Sequence, residues 1–341
     1  MIYSSSNIWA EYKFNNKYHY VLYQSIFFIM GLFLMYIVSN INYKLYLKYS
    51  NKILLICFIL LILVLIPGIG IVRNGSRSWF GIGGFGIQPS EFMKLAMIIF
   101  VSKYIYNNPK ELRYIKTGVI PILGIVLLSF FHIMLQPDFG TGVKLVMTII
   151  GMLFISGVNM SIFIKIGMLG IVGVVFLILA APYRVNRIVA FLNPWSDPLG
   201  TGFQTIQSLF AIGPGGLFGM GFGNSIQKHF YLPEPQTDFI FSIISEEFGF
   251  MGVVIVTTLF LTLIISSIKI SLKCNDLFGK YLCFGIIFQL AFQTILNLGV
   301  VVSLFPITGV TLPFFSYGGS SLLISMISIG ILLNISKYRE N

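Results

Sequence analysis

Apolar residues in this chain gather into runs of helical length separated by short polar segments. A helix needs about 20 mostly apolar residues to cross a hydrocarbon core. Runs of this kind lie at approximately 20–39, 53–72, 90–107, 117–136, 141–158, 161–181, 239–268, 281–305 and 318–336, which predicts nine membrane spans. The run at 90–107 is the most interrupted, since it carries Glu91, Lys94 and Lys103. One stretch breaks the alternation. Residues 182–238 mix apolar side chains with Gly and Pro, as in Ser208-Leu-Phe-Ala-Ile-Gly-Pro-Gly-Gly-Leu-Phe-Gly-Met-Gly-Phe-Gly223. Irregular backbone cannot face lipid bare, so this stretch predicts re-entrant or interfacial pieces packed on the helices. The expected fold class is an all-α polytopic membrane helix bundle, a single domain over 1–341 that contains the long loop at 182–238.

Composition agrees with the pattern. The chain of 341 residues is 56% hydrophobic and 10% charged, with 33 Phe and a mean hydropathy of +0.89. Soluble domains carry about a quarter charged residues. Cys57, Cys274 and Cys283 lie in or beside apolar segments and suit neither a disulfide framework nor a metal knuckle. Polar Tyr3-Ser-Ser-Ser6 follows Met1, so no cleavable signal peptide is expected.

Charge adds an orientation. Lys44, Lys48 and Lys52 follow the first run, and Lys110, Arg113 and Lys116 the third. Lys165 touches the loop after the fifth, Lys269, Lys273 and Lys280 follow the seventh, and Lys337 and Arg339 end the chain. With alternating spans these segments share one side, which the positive-inside rule makes cytoplasmic. The C-terminus is then cytoplasmic, while the N-terminus and the loops at 73–89, 182–238 and 306–317 face outward. The net charge of +11 is scattered between runs, which fits orientation signals and anionic membrane lipids and excludes a nucleic-acid-binding face.

The outward segments still carry Lys13, Lys17, Arg73, Arg77, Arg184, Arg187 and Lys228. Guanidinium forks match phosphate oxygens, so coordinating a phosphate or pyrophosphate is one use for them, and salt bridges or headgroup contacts are another. In Tyr231-Leu-Pro-Glu-Pro-Gln-Thr-Asp238, which leads into Phe239-Ile-Phe-Ser-Ile-Ile, two prolines place Asp238 at the lip of a predicted helix. The prolines keep the chain extended to about Thr237, and Thr237 or Asp238 is then a natural N-cap. A carboxylate at a helix N-terminus favours its ionised form, which also suits a base or a metal ligand. Glu246 and Glu247 follow roughly 12–14 Å deeper by helical rise, as functional groups facing a polar interior or as members of an ion pair. Glu91 and Lys94, three residues apart, are expected to pair, and Asp138 in Gln136-Pro-Asp-Phe-Gly-Thr-Gly142 to partner Lys144 or a loop cation. These are assigned structural or supporting roles. His19, His132 and His229 show no ligand spacing, and no Gly-x-Ser-x-Gly or Cys/His nucleophile arrangement is present. The residues alone describe an outward polar site suited to a substrate with a lipid tail and a phosphate-linked head.

Six motifs in order resemble the SEDS family (shape, elongation, division and sporulation), the FtsW/RodA/SpoVE proteins. They are Arg73-Asn-Gly-Ser-Arg-Ser-Trp79, Gln88-Pro-Ser-Glu91, Gln136-Pro-Asp-Phe-Gly-Thr-Gly142, Arg184 to Pro194, Leu232-Pro-Glu through Thr237-Asp-Phe-Ile240, and Pro306-Ile-Thr-Gly-Val-Thr-Leu-Pro-Phe-Phe-Ser-Tyr-Gly-Gly-Ser-Ser321. The wording around Asp238 resembles the SpoVE/FtsW branch more than the rod-elongation branch. Position 236 is Gln where many members have His. The resemblance implies a peptidoglycan glycosyltransferase in the bacterial cytoplasmic membrane that polymerises lipid II at the outer face, in division or sporulation, and releases undecaprenyl pyrophosphate. It implies that Asp238 is catalytic, with Arg73, Arg77, Arg184, Arg187, Lys228, Ser316 and Tyr317 as substrate-binding candidates. A divalent cation (Mg or Mn) is the one cofactor to consider, and a class B penicillin-binding protein transpeptidase is the implied partner. A lipid II flippase and a non-catalytic scaffold recruiting a transpeptidase are the alternatives. Family members have ten spans, the first ending in a sequence like Met1-Ile-Tyr-Ser-Ser-Ser6, so the first family helix is expected to be missing here.

Overall fold

The computed structural model describes residues 1–73, 75–82, 85–179 and 182–338. Asn74 of the first family motif, Ala180 and Ala181 at the end of the sixth apolar run, and Arg339 of the C-terminal basic pair lie outside the described residues. The helices are α1 Ile2–Phe14, α2 His19–Asn40, α3 Lys44–Leu63, α4 Pro89–Asn107, α5 Ile120–Met134, α6 Phe139–Ile155, α7 Met160–Leu179, α8 Pro182–Leu192, α9 Phe203–Ile212, α10 Ile240–Leu272, α11 Leu277–Val301 and α12 Gly319–Ser336. Each predicted run overlaps a helix, but among the described residues the helices at 90–107, 141–158 and 161–181 are too charged or too short to count as spans by length and hydropathy. Among the described residues, α2, α3, the segment Ile115–Met134 containing α5, α10, α11 and α12 are long and apolar enough to cross a membrane. The chain is a multi-pass membrane protein.

Two features depart from the sequence reading. The second predicted helix, 53–72, lies at 44–63, so Lys44, Lys48 and Lys52 sit on the first turns of α3 instead of in a loop. Lysine is a good helix former and its stem covers apolar surface, so a hydropathy window undervalues such a turn. The bundle is also not purely helical. Strands β1 Ile71–Arg73, β2 Ser76–Ile82 and β3 Phe85–Ile87 form a small antiparallel sheet in the order β1-β2-β3. Arg73 lies over the Trp79 ring at 5.4 Å.

The chain folds as two compact units. One comprises Ile26–Phe163, Leu263–Phe292 and Gly319–Asn341. Within it α4 touches α3, α5, α6 and α12, which explains how a run carrying charges is tolerated. Protein surrounds this helix where lipid would otherwise lie. Lys94 Nζ is 2.8 Å from Glu91, Lys144 on α6 reaches the same carboxylate at 3.4 Å, and all three side chains are at most 5% exposed. Lys144 thus pairs with Glu91 and not with Asp138. Asp138 instead caps α6, accepting from Thr141 N at 3.1 Å and from Gln88 Nε2 at 2.7 Å.

The other unit comprises Met1–Ser25, Ile164–Thr262 and Gln293–Gly318. Its core gathers Leu232, Phe239, Ile240, Ile243 and Ile244 against Val256, Phe260, Val300, Val301 and Leu312. Helix α10 is broken at Gly249, where φ is 62° and ψ −157°. A break frees carbonyls before it and amides after it, and buried backbone groups must find other partners. The segment 215–221 supplies them. Met220 N and Gly221 N donate to Glu246 O and Glu247 O at 2.9 and 3.0 Å, while Phe250 N and Met251 N donate to Gly216 O and Leu217 O at 2.8 and 3.0 Å. Gly219 follows this path with φ 79°, and a Cβ there would lie 2.2 Å from Glu247 O.

Candidate active site

Asp238 lies on the segment that enters α10, and its side chain is partly exposed. The approach is a run of turns, not the extended chain expected. Glu234 has φ 45°, Thr237 N and Thr237 Oγ1 both donate back to Glu234 O at 3.1 and 2.8 Å, and the helix starts at Ile240. Thr237 is therefore spent on its own turn and does not cap α10. Proline rigidity is used here to fold the chain tightly before the helix.

Asn297 on α11 fixes this segment. The residue is 1% exposed, and its Nδ2 donates to Asp238 O and to Val310 O, each at 2.7 Å. One turn earlier on the same helix face, Gln293 Nε2 donates to Thr311 O at 2.9 Å. The 306–317 segment is thereby tied to the segment carrying Asp238. A Cβ added at Gly309 would lie 3.6 Å from Asp238 Oδ2, and Gly309 has φ 71°. The Gly309 backbone therefore packs close beside the Asp238 carboxylate. A second tie follows from Tyr317 N, which donates to Gln236 O at 2.8 Å. Ser316 Oγ accepts from Leu312 N at 2.8 Å, and Gln24 holds Ser316 O at 3.1 Å and Gly318 N at 3.2 Å. Tyr317 packs its ring edge-on to Tyr20, with centroids 4.8 Å apart. Ser316 is buried in this scaffold, and Tyr317 is partly exposed beside the Asp238 segment.

Arg184 and Arg187 both lie on α8, and Arg187 Nη1 donates to Ile307 O at 3.1 Å. A cavity of about 380 Å³ opens here, lined by Asn186, Arg187, Thr201, Phe203, Gln204 and Ile307 among others. Lys228 is elsewhere. Although the sequence assigned it to phosphate coordination, it is only 2% exposed. Its Nζ lies 3.3 Å from Glu247 and also meets Gly223 O. Ser4 of α1 donates to the same Glu247 carboxylate. Glu246 accepts from Ser225 Oγ at 2.5 Å and Ile226 N at 2.8 Å. Both glutamates thus fasten the 215–228 segment to α10. Arg73 and Arg77 belong to the β1–β2 hairpin of the other compact unit.

The set of residues around Asp238 does not suit a protein-built metal centre. Among the described residues no three His, Cys, Asp or Glu side chains come together. Sequence reasoning passed over Asn297, Gln293 and Gly309. The signal available was a polar amide pair spaced one helical turn apart inside an otherwise apolar run.

Comparison with known proteins follows the same lines. Residues 1–341 match the FtsW/RodA/SpoVE family, described as cell cycle protein. Stage V sporulation protein E of Bacillus subtilis is 52% identical over 338 residues, covering 99% of this chain and 92% of that protein. The probable peptidoglycan glycosyltransferase FtsW of Trichlorobacter lovleyi is 41% identical over 336 residues, covering 98% and 88%. Among solved structures, a chain of a peptidoglycan synthase complex that coordinates polymerization and crosslinking superposes with a TM-score of 0.78 at 30% identity, covering 94% of this chain and 90% of that one. The rod shape determining protein RodA of Thermus thermophilus gives a TM-score of 0.68 at 27% identity, covering 93% and 87%.

Proposed function

The chain belongs to the FtsW/RodA/SpoVE family of cell cycle proteins, and we propose that it is a peptidoglycan glycosyltransferase that uses Asp238 as general base to polymerise lipid II. The observation that carries this reading is the mounting of Asp238. Its backbone is pinned by Asn297 and its carboxylate is partly exposed beside Gly309. A carboxylate left partly exposed on a backbone fixed from a buried helix suits a group that meets a substrate.

In the proposed step the Asp238 carboxylate takes the proton from the 4-hydroxyl of the acceptor sugar. The hydroxyl oxygen attacks the anomeric carbon of the donor from the face opposite the leaving group. The bond from that carbon to the pyrophosphate oxygen breaks, the configuration inverts, and undecaprenyl pyrophosphate departs with the bonding pair. Positioned bases of this kind contribute about 10²–10⁴-fold. Charge that develops on the leaving oxygen is met by Arg184 and Arg187 of α8, with Tyr317 beside the acceptor path. The step rests on these side chains and assigns no ligand to Mg or Mn. Lys228 has no part in it, being engaged by Glu247.

The asymmetric distribution of Lys and Arg supports an outward Asp238 and a cytoplasmic C-terminus in the bacterial cytoplasmic membrane. Likeness to stage V sporulation protein E supports a role in sporulation or division. Likeness to a chain of a peptidoglycan synthase complex supports pairing with a class B penicillin-binding protein that crosslinks the new strand. A flippase or a scaffold would leave the mounting of Asp238 without purpose. The test is polymerisation of purified lipid II by wild type, Asp238→Asn and Asp238→Ala. Loss of glycan strands in both variants, with the folded protein retained, is expected. Wild-type strand synthesis by either variant would remove Asp238 from catalysis.

A further inference from the structure

Helix α3 carries on its outside a pattern that the chemistry at Asp238 does not use. Residues 44, 48, 52, 55, 59 and 62 recur at three- and four-residue spacing, so they lie along one helical face. They are Lys44, Lys48, Lys52, Leu55, Ile59 and Ile62, and all six are exposed. The face thus begins as a row of ammonium groups and continues as a row of branched aliphatic side chains. By helical rise the change from Lys52 to Leu55 takes only about 5 Å. The lysine end is flanked on both sides. Tyr49 stands on one, with Lys48 Nζ 5.5 Å and Lys52 Nζ 5.7 Å from its ring centroid. Asn51 stands on the other and accepts from Lys103 Nζ of α4 at 3.2 Å, which brings a fourth ammonium to the same end of the helix pair.

This end is short of counter-charge. Segments 41–52 and 103–119 hold seven cations and a single acid, Glu111. Among the described residues, none of Lys44, Lys48, Lys52 and Lys103 pairs with a carboxylate. A cation–π contact at an exposed ring is weak and leaves the ammonium N–H donors for a stronger acceptor. The ligand that matches the whole face has an anionic head and a hydrocarbon tail. A soluble polyanion would leave the aliphatic half unused. A partner helix would favour Gly, Ala or Ser where Leu55, Ile59 and Ile62 stand. Lysine ammoniums are point charges without the planar guanidinium fork, so they suit a class of phosphate headgroup more than one defined molecule. Clusters of Lys beside a membrane helix are a recurring seat for anionic lipids. We propose that this face of α3, together with Lys103, is a binding site for an anionic glycerophospholipid of the surrounding membrane. Lys48, Lys52 and Lys103 take its phosphate, Tyr49 borders the headgroup, and an acyl chain lies along Leu55, Ile59 and Ile62. The site lies wholly within the unit that contains Ile26–Phe163 and is independent of the glycosyltransferase reading.

The test measures, by native mass spectrometry, the lipid retained by the full chain from detergent micelles containing phosphatidylglycerol or phosphatidylcholine at matched concentration. Wild type is expected to retain phosphatidylglycerol in preference to phosphatidylcholine. Lys48→Gln/Lys52→Gln is expected to bind phosphatidylglycerol roughly 30-fold more weakly, as the loss of two lysines at an anionic headgroup implies. Lys110→Gln/Lys116→Gln removes the same charge away from the face and is expected to weaken binding far less. Lys48→Arg/Lys52→Arg keeps the charge on a good helix former and is expected to bind like wild type. Equal retention of the two lipids, equal weakening by the two glutamine pairs, or displacement of phosphatidylglycerol by inorganic phosphate at the same concentration would each overturn the site. Lys48→Gln alone, expected to weaken binding about fivefold, serves if the glutamine pair fails to elute as a folded protein. Lipid retention needs no turnover, so neither the presence nor the loss of strand synthesis bears on it.

Discussion

Replacing Asn297 by alanine tests whether the mounting of Asp238 matters as much as its carboxylate. The amide of this 1% exposed residue joins two backbone carbonyls, Asp238 O and Val310 O, at 2.7 Å each. Its removal strands both acceptors in a buried setting. An unsatisfied buried polar group costs about 1–3 kcal/mol, so the pair sets an upper loss of about 2–6 kcal/mol, reduced wherever water can enter the gap. Total stability is only about 5–15 kcal/mol for a typical protein. The variant is therefore expected to remain folded with a lower melting temperature in detergent. Activity is expected to fall further than stability, because misplacing a catalytic group by about 1 Å costs on the order of 10²-fold. Asn297 holds the backbone of Asp238, the proposed base, so the loss is expected in kcat, with KM for lipid II changed little. Asn297→Asp keeps the shape but presents an acceptor where both carbonyls need a donor, and it is expected to be no better than alanine. The assay is polymerisation of fluorescent lipid II at several concentrations, run beside thermal denaturation. A folded Asn297→Ala protein with kcat within about threefold of wild type would refute the reasoning.

Other expectations follow from the same geometry. Lys228→Met leaves Glu247 uncompensated in a buried site, a loss of about 3–5 kcal/mol, and Lys228→Met/Glu247→Gln is expected to recover much of it; thermal denaturation that shows single and double variants alike would sink the assignment. Gly249→Ala places a Cβ 2.4 Å from Gly219 N at φ 62° and is expected to destabilise by about 1–3 kcal/mol, with the 213–228 segment becoming a protease-cleavage site. The Asp197 carboxyl is held below its ordinary range by the Thr201 backbone N–H and then by the Thr201 hydroxyl. A lowered value means the 197–201 turn is fully held above the usual carboxylate range and released only as pH falls through the lowered value. The Thr201 amide resonance is expected to stay constant from neutral pH down to about pH 4 and to move only in stronger acid; movement near neutrality would contradict it.

The apolar runs carry most of the fold because their length and hydropathy leave a helix few alternatives in lipid. They fail at the lysine-bearing start of α3, where a good helix former reads as a loop. They fail again at Gly249, where a single glycine inside a long apolar run ends one helix and begins another. Local sequence also brought out Asp238, since an acid between prolines and an apolar run is conspicuous. It could not bring out Asn297, whose partners at 238 and 310 are distant in sequence. Nor could it show that Lys228 belongs to Glu247, because that pairing depends on how the intervening glycines turn. In each missed case the deciding interaction is a backbone hydrogen bond or a long-range contact that side-chain pattern does not encode.

The exchange of hydrogen bonds across the break in α10 bears on how relatives of this protein can be recombined. The 215–221 segment completes the hydrogen bonding of Glu246, Glu247, Phe250 and Met251, so segment and helix form one inherited part, not a loop grafted on a rod. A chimera that imports only residues 182–238 from a relative with a different glycine spacing would strand the backbone on both sides of Gly249. One that imports 182–251 together would carry its own closure.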